Sequence, residues 1–144
     1  MEIDGQLLEA IRGHGREAYP EECCGALLGS TRGERARIER IERLSNAREG
    51  DRRRRYVISP QEYLRAERAA EEAGISLLGF YHSHPDHPAV PSDYDRQNAL
   101  PFFHYLVLAV PSGTPGEVSV WILSEDRGVF EQEALVPWEP GRNT

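Results

Sequence analysis

The chain has 144 residues, 39% hydrophobic and 28% charged, with a formal charge of −7; that is the length of one domain, apolar enough to bury a core and too apolar to be wholly disordered. The negative balance argues against a nucleic-acid partner, because phosphate binding needs a concentrated positive surface. No stretch approaches the roughly 20 apolar residues of a membrane span, and the acidic start lacks the basic, then unbroken apolar, pattern of a signal peptide, so a cytoplasmic location with no membrane contact is expected.

Ile3, Leu7, Leu8, Ile11 and Ala18 fall at near-helical spacing, predicting an amphipathic first helix over residues 3–18, despite glycines at 5, 13 and 15, that Pro20 ends. Residues 23–31 form a short apolar run bounded by turn residues, a buried strand. A more exposed strand near residues 36–44 pairs with it as a hairpin around Arg32-Gly33-Glu34. Cys23 and Cys24 are adjacent, a poor geometry for a disulfide with each other, which fits a reducing compartment. Cys24 reads as a small buried apolar residue.

Arg52 to Arg55 read as a solvated loop or as a patch for an acidic protein partner; all 17 basic residues are arginine. Tyr56-Val57-Ile58-Ser59 is a strand candidate. Ser59 then supplies an N-cap and Pro60 a first helical position for a second helix running to about Ala73 and closed by Gly74. Residues 75–82, 102–110 and 117–123 are apolar or alternating and read as central or half-buried strands, with one more over residues 129–136. The pattern predicts a single α/β domain, a mixed sheet flanked by helices, over residues 1–136, and a poorly ordered tail over 137–144.

The chemistry concentrates in Gly79-Phe80-Tyr81-His82-Ser83-His84-Pro85 and Pro91-Ser92-Asp93-Tyr94-Asp95. On a strand, His82 and His84 point to one face and can approach one ion together; surface or hydrogen-bonded histidines satisfy the same pattern. Ser92 to Asp95 matches a capping box at the start of a helix, which fixes Asp95 in a first turn whether or not it also binds a metal. Pro85, Pro88 and Pro91 stiffen the intervening loop and lower the entropy cost of bringing Asp95 to the histidines. His87 and His14 read as exposed, and His104 as structural. Glu21 and Glu22 are equally good bases on chemistry alone.

His82-Ser83-His84-Pro85, with ten residues between His84 and Asp95 and Pro91-Ser92 just before it, resembles the signature of the JAMM (MPN-plus) metalloproteases. Pro20-Glu21-Glu22-Cys23-Cys24-Gly25 is similar to that family's Pro-x-Glu-x-Cys-Gly strand, and Tyr56 to Pro60 fits before the second helix. The resemblance spans roughly residues 5 to 125 and implies the JAMM/MPN, cytidine-deaminase-like fold. It also implies a Zn2+ held by His82, His84 and Asp95, with Glu22 as catalytic base and Ser92 as donor to the oxyanion.

His-Glu-x-x-His, zinc-deaminase and Gly-x-Ser-x-Gly patterns do not occur. The alternative to a peptidase is a non-catalytic MPN-type interaction scaffold, against which stands the complete set of five residues. The short stretch between Asp95 and the next apolar strand leaves little room for a second insertion of the kind that grips ubiquitin chains. The chain therefore resembles the compact prokaryotic members, which implies cleavage after the C-terminal Gly-Gly of a small ubiquitin-like or sulfur-carrier protein.

Overall fold

The computed structural model describes residues 1–53, 55–125 and 128–139. Among these residues, eight strands and three α-helices follow as β1 (Glu2–Asp4), α1 (Gly5–Ala18), β2 (Cys24–Arg32), β3 (Arg35–Leu44), α2 (Pro60–Glu72), β4 (Ser76–Pro85), α3 (Asp93–Asn98), β5 (His104–Val110), β6 (Val118–Leu123), β7 (Phe130–Glu133) and β8 (Val136–Trp138). They form one mixed sheet in the order β7-β6-β5-β4-β2-β3-β1-β8. The β4–β5 pair and both neighbours of β1 are parallel, and the rest antiparallel. The outermost strands, β7 and β8, are consecutive in sequence. The chain between them can span at most about 10 Å, whereas eight strands laid flat would be roughly 33 Å across. The sheet must therefore curl until its edges approach, and the N-terminal amine on β1 accordingly donates to Ala134 O at 2.8 Å.

Strand alternation sorts the core onto two faces. One face carries Leu27, Tyr81, Leu106, Leu108 and Val110 against Ile11 of α1. The other carries Cys24, Ala26, Phe80 and Tyr105 against Ala66 and Ala70 of α2. Gly15 lets α1 settle on the sheet, since a Cβ there would lie 2.6 Å from Leu108. Gly25 pairs with Tyr81, and a Cβ on it would lie 2.2 Å from that ring. Ser59 Oγ accepts from Glu62 N at 3.1 Å, and Gly74 turns out of α2 at φ +72°, as a Ser-Pro start and a glycine stop require.

Four expectations change. The first residues form a strand before α1, because Glu2 and Ile3 find partners in β3 and β8; Asp4 then caps the helix through Gln6 N at 2.9 Å. Residues 56–59 are not a strand, since the Val57 backbone is bonded to Asn46 Oδ1 and Ala47 N within its own loop. Instead Tyr56 and Ile58 pack their side chains into the α2-side core. The strand expected from 102 starts at His104, because Phe102 takes φ +72° and stands 70% exposed. Pro137 and Trp138, expected in the tail, pair with Ile3 and Asp4, and Arg37 lies over the Trp138 ring at 4.3 Å. Residues 140–144 lie outside the described residues. Among those described, no helix is long and apolar enough to cross a membrane.

Candidate metal centre

Strand β4 extends through Pro85, so Phe80, His82 and His84 share the α2 face while Tyr81 and Ser83 face α1. Cys24 of β2 pairs with His82. Continuing that antiparallel register by two residues sets Glu22 beside His84 and on its face. The α3 cap brings the last member. Asp95 N donates to Ser92 Oγ at 3.0 Å, and Ser92 N donates to Asp95 Oδ2 at 2.8 Å, a complete capping box.

The same Asp95 Oδ2 lies 3.2 Å from His82 Nε2 and 3.0 Å from His84 Nε2, and the two imidazole nitrogens are 3.1 Å apart. His84 Nδ1 lies 2.9 Å from Pro88 O, which can only accept, so Nδ1 carries the proton and Nε2 of a neutral ring presents a lone pair. Three buried atoms, rich in lone pairs, thus form a nearly equilateral triangle. A tetrahedral ion with bonds of about 2.0–2.1 Å separates its ligands by about 3.3–3.4 Å, close to these edges. The donor set, two imidazoles and one carboxylate, fits a divalent cation of zinc's kind.

Glu22 completes the cluster from a greater distance. One of its carboxylate oxygens lies within 4.8 Å of both imidazole nitrogens, so a second trio of Glu22, His82 and His84 overlaps the first. The shorter contacts favour Asp95 as the third ligand and leave Glu22 standing off by the space of a small molecule. Glu22 is buried, and its Oε1 has no hydrogen-bond partner. Burial pushes its carboxyl up to about 8; the charge of His84 pulls it down, and Asp95 and Asp51 push it further up. Glu21 is exposed and lies 4.0 Å from Arg52, so the structure separates two glutamates that chemistry alone leaves equivalent. Burial lowers the pKa of His82 against the raising effect of Asp95. For His84, Asp95 and the Pro88 carbonyl together outweigh burial and raise it. Asp95 is held well below the usual carboxylate range, its burial more than offset by the two histidines and Ser92 N.

Ser92 is exposed at the rim, its oxygen accepting from Asp95 N and its proton left to donate outward. Cys23 and Cys24 are free and buried, with burial pushing their thiols up to about 11 and about 12, which makes them inert. His87 is exposed, and His104 bonds Glu133 across the sheet, away from the cluster. His14, expected to be exposed, is half-buried with Nδ1 2.7 Å from Tyr81 Oη, because Gly25 leaves room for that ring to reach α1.

The residue that sequence reasoning missed is Asn46. Its Nδ2 donates to Glu22 O at 3.2 Å and to Arg55 O at 3.1 Å, while Oδ1 accepts from Arg48 N and Val57 N at 3.0 Å each. Glu22 N donates to Arg52 O at 2.7 Å, so the arginine loop is a brace for the Glu22 backbone. Arg52, Arg53 and Arg55 are exposed, and Arg54 lies outside the described residues. The one available sequence signal for Asn46 is its type, since a lone Asn opening a loop often bonds backbone groups.

Residues 4–123 match the family described as prokaryotic homologs of the JAB domain. The chain is 35% identical over 123 residues to a probable TtuB-protein conjugate cleaving protease of Thermus thermophilus, covering 85% of this chain and 76% of that one. It is 34% identical over 118 residues to a desampylase of Haloferax volcanii, covering 78% and 82% respectively. A solution structure of a Salinibacter ruber protein superposes with a TM-score of 0.77 at 40% identity, covering 100% of this chain and 95% of the other. With a matched segment that contains every residue of the cluster, the chain belongs to the prokaryotic JAB-domain family.

Proposed function

We propose that the chain is a zinc metallopeptidase that hydrolyses the amide bond after the C-terminal Gly-Gly of a small ubiquitin-like or sulfur-carrier protein. The observation that carries this is the triangle of His82 Nε2, His84 Nε2 and Asp95 Oδ2, with the buried Glu22 carboxylate, its Oε1 unpartnered, beside it. His82, His84 and Asp95 would hold the ion and leave a fourth position for substrate or water. Zinc supplies Lewis acidity there, polarising a carbonyl and making water acidic enough to attack at neutral pH.

Glu22 serves as the base that takes the attacking water's proton and returns it to the leaving nitrogen. Its Oε1, buried and without a hydrogen-bond partner, is free to do both. A cation beside it favours the ionised form, opposing the effect of burial. Ser92, exposed at the rim with a hydroxyl proton not used by the cap, donates to the oxygen that gains charge as the carbonyl is attacked. The relatives named for conjugate cleavage and desampylation, together with the short connection from α3 to β5, support a compact carrier in preference to ubiquitin chains. Arg52, Arg53 and Arg55 beside the site suit an acidic face on that carrier. Two free buried thiols support a reducing, cytoplasmic setting.

The test combines elemental analysis with intact-mass assays on Gly-Gly carrier fusions. One zinc per chain is expected, lost in His84→Ala and kept in Glu22→Gln, which is inactive, while Glu21→Gln stays active. Full zinc occupancy in His84→Ala would refute the ligand set. A non-catalytic scaffold would cleave no fusion at any zinc content.

A further inference from the structure

A half-open, largely apolar cavity of about 180 Å³ lies beside the candidate metal centre, walled by Tyr56, Ile58, Tyr63, Phe80, Tyr94 and Leu100, with Asp95 in its lining. At roughly 30 Å³ per water it has the volume of about six waters, which is room for one amino-acid side chain. Two of its walls touch candidate ligands. Tyr56 stacks on His82 with ring centroids 4.5 Å apart and planes at 23°, and Asp95 is itself part of the lining. A group seated here must branch from a residue that forms the scissile bond. A residue two positions away would start roughly 7 Å off.

We propose that this cavity receives the apolar side chain of the residue on the leaving side of the bond, an inference that rests on the Gly-Gly hydrolysis proposed above. On the acyl side both residues are glycines and have nothing to place in it. In the reaction, water's oxygen bonds to the glycyl carbonyl carbon, the carbon–nitrogen bond breaks and the leaving nitrogen takes a proton. Carrier carboxylate and free amine separate, and the amine component alone carries a side chain at the bond. Charge narrows the choice of that side chain. Arg55 and Arg48 lie over the Tyr94 ring at 4.5 and 5.8 Å and make that wall unfavourable to a cation. An anion would lose its hydration against walls that are mostly aromatic and aliphatic. A neutral leucine or methionine avoids both penalties and fills the aromatic walls, so the cavity selects the residue that the enzyme removes.

The experiment measures kcat/KM by intact mass on one carrier ending in Gly-Gly-Y, with Y as Gly, Ala, Leu, Met, Phe, Asp or Lys, and as a lysine side-chain conjugate. Leu and Met should exceed Gly and Asp by at least about tenfold, the discrimination expected even of one methylene in an apolar pocket. Val57→Phe, which fills the cavity from its lining, should collapse the Leu/Gly ratio toward one, and Ile58→Ala should move the preference toward Phe. Calorimetry on zinc-loaded Glu22→Gln should show a Gly-Gly-Leu peptide binding tighter than Gly-Gly-Gly, a readout independent of turnover. Equal rates for every Y would overturn the proposal. So would dependence on the residue before Gly-Gly instead of the one after it, or faster release of the side-chain conjugate than of any α-linked residue. Cleavage of none of these carriers would sink the hydrolytic reading itself, and is distinguishable from cleavage without selectivity.

Discussion

Asn46→Ala should weaken both the fold and the catalysis, although Asn46 touches neither metal ligand nor substrate. The side chain makes four hydrogen bonds of 3.0–3.2 Å, two donated and two accepted; one ties the loop at 46–57 to Glu22 O and three hold the loop itself. Each is worth about 0.5–1.5 kcal/mol net. Several are exposed enough for water to replace them, so the expected loss is about 2–4 kcal/mol. Glu22 then keeps only the bond from its N–H to Arg52 O, on a loop that has itself been loosened. A displacement of about 1 Å at a reacting group costs on the order of a hundredfold in rate, so turnover should fall by roughly ten- to a hundredfold with zinc content unchanged. Asn46→Asp separates the two effects. It keeps the acceptors for Arg48 N and Val57 N and recovers part of the stability, but it cannot donate to Glu22 O and stays slow. Urea denaturation, zinc analysis and turnover on the three proteins decide the matter. An Asn46→Ala protein within about 0.5 kcal/mol of the parent, the range of an ordinary surface change, and with full turnover would refute the brace.

Ser92→Ala should lose about 1 kcal/mol through the α3 cap and, by the oxyanion role, about a hundred- to a thousandfold in turnover; wild-type turnover would leave it as a cap alone. Gly25→Ala should cost about 1–3 kcal/mol, because the new methyl would sit 2.2 Å from the Tyr81 ring; Tyr81→Leu in the same chain should absorb part of that cost, and additive losses in denaturation would contradict the clash. Burial, helped by the charge of Arg43 and opposed by Glu17, holds His14 down at about 4. The unfolded chain therefore binds the extra proton between about pH 6.5 and 4, and stability falls as pH drops through that window. Comparing unfolding midpoints of the parent and His14→Gln across pH 4–7 tests this: the difference should shrink or reverse toward pH 4, and a pH-independent difference would be inconsistent with it.

Several features were legible because they are local. His82 and His84 share a face through the period of two along β4, and Ser92 and Asp95 meet through a spacing of three at a helix start. The second helix, with its Ser-Pro start and glycine stop, is equally local. The family resemblance named Glu22; what sets it apart from Glu21 in the structure is pairing, since the β2–β4 register puts one glutamate beside His84 and leaves the other in solvent. That register includes a shift between Leu27 and Leu28, and no residue pattern within one strand reveals how it will align with another. The short β1 and β8 escaped for the same reason, since three residues carry too little periodicity and become strands only when the curled sheet offers them partners. Asn46 and the cavity beside Asp95 were invisible from sequence because each depends on distant segments. Hydrogen bonds from one side chain to four separate backbone groups, and walls drawn from the loop before α2, from β4, from α3 and from β5, exist only once the chain has folded. Local periodicity and capping chemistry thus put His82 and His84 on one face and Asp95 in a helix's first turn, while long-range strand pairing decided which glutamate stands beside them and what lies next to the cluster.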